Sequence, residues 1–107
     1  PTLHIRTQNP TLYIAFLALG LLSAIQSGAI SPEAGIWTLL IPKNYDEILP
    51  HCPPKLQNII ECFDELDLLS RLDTVTYAQT IDRLMGDLQH IVAEHSEPYD
   101  ARLSINQ

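Results

Sequence analysis

Residues 12–25, LYIAFLALGLLSAI, form a near-continuous apolar run of fourteen positions. A helix needs about 20 such residues to cross a bilayer core. A window extended to Ile30 holds Ser23, Gln26, Ser27 and Gly28, and Gly28 is a natural helix stop. No Lys or Arg lies within a turn of either end, and Tyr13 is the one interfacial aromatic. The pattern therefore predicts a central helix buried in the chain's own core, from about Pro10 to Ser27, with Asn9 as N-cap and Pro10 at the first helical position. Gly20 and Ala24, four apart, would let a neighbouring helix approach closely.

Ser31, Pro32 and Glu33 repeat the start signal, with an acid at the positive end of the helix dipole. The short second helix carries Ile36, Trp37, Leu39, Leu40 and Ile41 and must end near Pro42. Asn44 offers a cap for a single turn through Leu49, and prolines 50, 53 and 54 stiffen the connection that follows. From Pro54, Leu56, Ile59, Ile60, Phe63, Leu66 and Leu69 share one half of a helical wheel and predict a third helix. A fourth begins at Asp73 or Thr74. It aligns Ala78, Ile81, Leu84, Met85, Leu88, Ile91 and Val92, and should end near His95, ahead of Pro98.

The expected fold is all-α: a compact bundle of four helices plus one short helical turn, the first helix central. The expected organisation is an arm over 1–9, a helical domain over 10–96 and a tail over 97–107. Leu3 and Ile5, and Leu103 and Ile105, alternate with polar residues as in a short strand. Flexible ends are the default reading.

Charge narrows the function. Six Lys and Arg against thirteen Asp and Glu leave a net charge of −7, which repels phosphate backbones and favours basic or neutral protein partners. Cys52 and Cys62 are too few for a disulfide-stapled scaffold, and only Arg6 is basic ahead of the apolar run, so a cytoplasmic setting is expected.

One order of features resembles a known family: LALGLLSAIQSGAIS, a short helix closing on IPKN and NYDEIL, then ECFDELDLLSRLD before a long final helix. It resembles a bacterial family of small helical proteins known as DUF three-nine-six-nine. Gly28, Ile30 and Ser31 match that family's turn after the first helix, and Glu65, Leu66 and Ser70 match its acidic segment. Asp67, Leu68 and the intervening Arg71 depart from the pattern. The resemblance implies a fold and a bacterial origin, and no activity.

Glu61, Asp64 and Glu65 lie within about 100° on the face opposite the third helix's apolar stripe, either as a solvated face or as a partner-binding ridge. Asp67 falls within the apolar arc near Ile60, so the helix should unwind there or Asp67 should find a partner, with Arg71 one turn away. Trp37 reads as core; if exposed beside Tyr45 it would be a binding hot spot.

His51, Cys52, Cys62, His90 and His95 are candidate metal ligands, but His90 and His95 are about 140° apart on a helix and Cys62 lies at the edge of the apolar stripe. No metal or cofactor is expected. No nucleophile elbow, phosphate loop or His-Glu-x-x-His motif is present, so no catalysis is expected.

The leading expectation is a small acidic protein-interaction module, in its concrete form an immunity or antitoxin-type inhibitor of a basic toxin. The alternatives are a homodimer paired through the second helix and a membrane-associated regulator inserting Leu12 to Ile30.

Overall fold

A computed structural model describes the backbone of residues 9–106 and the side chains of residues 9–95. Asn9 caps α1 (Pro10–Gln26), its Oδ1 accepting from the Leu12 amide at 3.1 Å. Gly28, at φ 81°, closes the helix: the Gly28 amide donates to Ile25 O and the Ala29 amide to Ala24 O. Ser31 caps α2 (Pro32–Leu39) through the Ala34 amide at 3.1 Å. A π-helical turn (Lys43–Ile48) and a 3-10 turn (Leu49–His51) lead to α3 (Pro54–Glu61), α4 (Phe63–Leu72) and α5 (Thr74–Asn106). The fold is all-α, and the described residues contain no strand.

The core joins every helix. α1 contributes Ile14, Ala15, Ala18, Leu22 and Ile25 at helical spacing, and its longest packing partner is α5, which brings Ile81, Leu84, Leu88 and Ile91. Leu56, Ile59 and Ile60 of α3, with Phe63 and Leu66 of α4, complete it. Phe63 and Leu66 are fully buried, each stabilising by about 2 kcal/mol in transfer terms. α5 would rise about 50 Å over its length, in keeping with a long axis of 49 Å against 26 Å in the other two directions.

Several expectations need correction. The predicted third helix is two helices, because the chain breaks at Cys62. There the Cys62 amide is shared between Asn58 O and Ile59 O, and the Glu65 amide reaches Cys62 O, a tightened junction with no capping side chain. The described fold therefore has five α-helices rather than four, and the connection between α2 and α3 is a π turn followed by a 3-10 turn rather than one turn.

Secondly, α1 is not apolar on all sides for burial's sake. Phe16 is 55% exposed, Gly20 and Ser23 face water beside it, and Leu17, Leu19 and Leu21 are half-buried. Thirdly, the close helix approach uses Gly35 and not Gly20. A Cβ on Gly35 would lie 2.6 Å from Ile25 Cδ1, whereas Gly20 has open space around it.

Fourthly, Asn44 caps nothing with its side chain. It is buried at 2% exposure, accepting from the Tyr13 hydroxyl at 3.1 Å and donating to Thr38 O at 3.4 Å, so it ties α1 to the end of α2. Finally, α5 continues through Pro98 to Asn106, where the alternation of Leu103 and Ile105 suggested a strand and the sequence a tail. Ala78, assigned to the buried stripe of this helix, is exposed. The N-terminal arm's strand pattern lies outside the described residues.

Candidate functional site

Trp37 is 70% exposed, so the expectation that it belongs to the core is corrected. α2 is held by the Gly35 approach to Ile25 and by buried Leu39, which turns Gly35 and Leu39 inward. Trp37 lies two residues from each and therefore projects on the opposite side. Ile41 and Tyr45 follow at intervals of four and are 45% and 44% exposed. The helix does not run through them: α2 ends at Leu39, Leu40 leaves the helical region at φ −93° and ψ 16°, Ile41 is a bend, and the π turn starts at Lys43. Three large side chains thus stand exposed along the segment from α2 to the π turn. Tyr45 is exposed on the same segment, eight residues further on.

The acidic residues form a second feature. Glu61, Asp64 and Glu65 are all exposed, and none is in an ion pair among the described residues. The break at Cys62 divides them, Glu61 closing α3 and the other two opening α4. Asp67 stays helical, contrary to the unwinding expected at that residue; the discontinuity five residues earlier resets the wheel. Its carboxylate lies at the surface and pairs with Arg71 at 3.0 Å. Leu68, Leu72 and Val75 extend from the acids as exposed apolar residues at the elbow between α4 and α5.

Three further titratable groups among the described residues are shifted by their surroundings. Cys52 is buried, its thiol donating to Ile48 O at 3.7 Å, and burial raises its pKa while a hydrogen bond with Thr11 opposes the rise. Cys62 is half-buried, and the eight residues of α3 between the two cysteines span about 12 Å, beyond disulfide reach. Burial likewise raises Tyr77. The Thr76 amide, and then its hydroxyl, hold Asp73 below its ordinary pKa, since Asp73 caps α5 at 3.0 and 2.7 Å.

Of the candidate metal ligands, His51 and His90 are exposed, and His90 faces Glu94 at 3.7 Å. The described residues hold no group of three or more His, Cys, Asp or Glu arranged to bind a metal ion. Nor is any helix among them long and apolar enough to cross a membrane.

Compared with known families, with curated proteins and with solved structures, the chain shows no match.

Proposed function

We propose that this chain is a non-catalytic protein-interaction module of the bacterial cytoplasm that binds a basic partner protein. The observation that carries the reading is the exposure of Trp37, with Ile41 and Tyr45 exposed further along the same segment. Large aromatic side chains left in water are unfavourable for an isolated chain, and at interfaces Trp and Tyr dominate binding energy. The acidic ridge of Glu61, Asp64 and Glu65, with Asp67 beside Arg71, supplies the sign of charge that attracts such a partner and speeds encounter.

Neutralisation of a basic toxin is the concrete version of this role. It rests on the charge and small size of the chain. The resemblance to the DUF three-nine-six-nine family is carried by Gly28, Ile30 and Ser31, of which Gly28 ends α1 and Ser31 caps α2, and by Glu65, Leu66 and Ser70.

Affinity capture with the wild-type chain and with Trp37→Ala tests the reading. The expected result is a discrete basic protein retained by the wild type and weakened about thirtyfold or more by the substitution. Equal retention by both chains would contradict it.

A further inference from the structure

α4 turns two leucines to water. Phe63 and Leu66 face inward and are fully buried, whereas Leu68 and Leu72, one turn apart, are 54% and 72% exposed. Both leucines belong to one unbroken α-helix, Phe63–Leu72, so the helical wheel fixes what lies beside them. Asp64, Glu65, Leu68 and Leu72 fall within about 100° of one another on that wheel, and all four are exposed. Val75, also exposed, follows just beyond the Asp73 cap of α5.

Residues 61–73 hold five Asp or Glu against Arg71 alone. Arg71 is committed to Asp67, whose carboxylate it meets at 3.0 Å and whose backbone oxygen it reaches at 3.4 Å. Glu61, Asp64 and Glu65 are in no ion pair among the described residues, so their charge is open to a partner.

Carboxylates around an apolar centre select the occupant. A second copy would set acids against acids, and anionic lipid or a phosphate backbone would meet the same repulsion. A protein surface that places Lys or Arg beside an apolar side chain matches both halves of the face. Its cations meet Asp64 and Glu65, and its apolar group covers Leu68 and Leu72.

We infer that the outer face of α4 is a docking site for a segment of a basic protein in which Lys or Arg flanks an apolar side chain. The assignment rests on the interaction-module reading above and gives the acidic ridge its own apolar centre, apart from Trp37.

The test titrates the full chain, at low salt, with a short synthetic peptide alternating Leu and Lys, and follows the methyl NMR signals of Leu68, Leu72 and Val75. A Ser/Lys peptide of the same charge and a Leu/Glu peptide are the controls. Saturable shifts of these methyls are expected with the Leu/Lys peptide alone. Leu68→Ser with Leu72→Ser should weaken binding about tenfold or more; both side chains are exposed, so the far-UV circular dichroism should be unchanged. Asp64→Asn with Glu65→Gln should weaken it about fivefold, and Asp87→Asn with Glu94→Gln, an equal change in net charge on α5, should leave it unaltered.

Equal binding of the Ser/Lys peptide, or equal weakening by both charge variants, would reduce the contact to non-specific attraction and overturn the inference. Shifts of the same methyls on raising the protein concentration alone would mark a second copy as occupant and overturn it, as would no response to the Leu/Lys peptide. Loss of partner capture with Trp37→Ala, beside full capture by the Leu68→Ser, Leu72→Ser variant, would overturn this site and leave the interaction module standing.

Discussion

Asn44 and Gly35 show how single residues fix this fold. Asn44 is a buried amide with both ends occupied, by the Tyr13 hydroxyl and Thr38 O. Replacing it with Ala should cost about 1–3 kcal/mol, because Thr38 O and the Tyr13 hydroxyl lose a partner in a partly dry setting. Tyr13→Phe should cost less, and the two losses should be strongly non-additive in urea unfolding. Gly35→Ala overpacks against Ile25 and should cost about 1–3 kcal/mol. Ile25→Val deletes Cδ1, the atom a new Cβ would meet at 2.6 Å. The double variant should therefore be more stable than the sum of the single effects, again by urea unfolding.

Asp73 adds a pH dependence at the same scale. Its folded pKa lies below the ordinary value of 3.8, so its contribution is fully present above that pH and is lost as pH falls through the lower folded value. The stability gap between wild type and Asp73→Ala should be constant from pH 7 to about 5 and close on further acidification.

At the scale of elements, local chemistry announced most boundaries. Asn9, Ser31 and Asp73 accept from backbone amides three residues on, and Gly28 ends α1, all within reach of a sequence pattern. The break at Cys62 had no such sign. Neither Pro nor Gly lies there, and its cause is tertiary: burial of Leu56, Ile59 and Ile60 on one side and of Phe63 and Leu66 on the other. The exposure of Trp37 was hidden for a related reason. An eight-residue helix with apolar residues on several sides has too little periodicity to say which side faces in, and the Gly35–Ile25 approach that decides it joins residues in different helices. The exposed acids on α3 and α4 were legible, because a stripe of charge opposite a stripe of apolar residues defines its own direction.

The cysteines probe these elements separately. Cys62, half-buried at the α3–α4 junction, should react with a thiol reagent at low denaturant, while Cys52 should react only as the chain unfolds. Simultaneous reaction of both in native buffer would contradict the buried placement of the segment that links the π turn to α3.

Across the whole molecule, the arrangement divides apolar residues into two populations. One joins α1 to α5 and closes the core; the other, led by Trp37, is left on the outside of a chain with net charge −7. The interaction reading depends on the second population being in water when the chain is alone. Acrylamide quenching of the Trp37 fluorescence measures this directly, since the quencher is neutral and no other tryptophan contributes. Emission and quenching should be close to those of a water-exposed indole and unchanged on dilution. A blue-shifted, weakly quenched Trp37 would mean that its ring is already covered, and the interaction reading would fall.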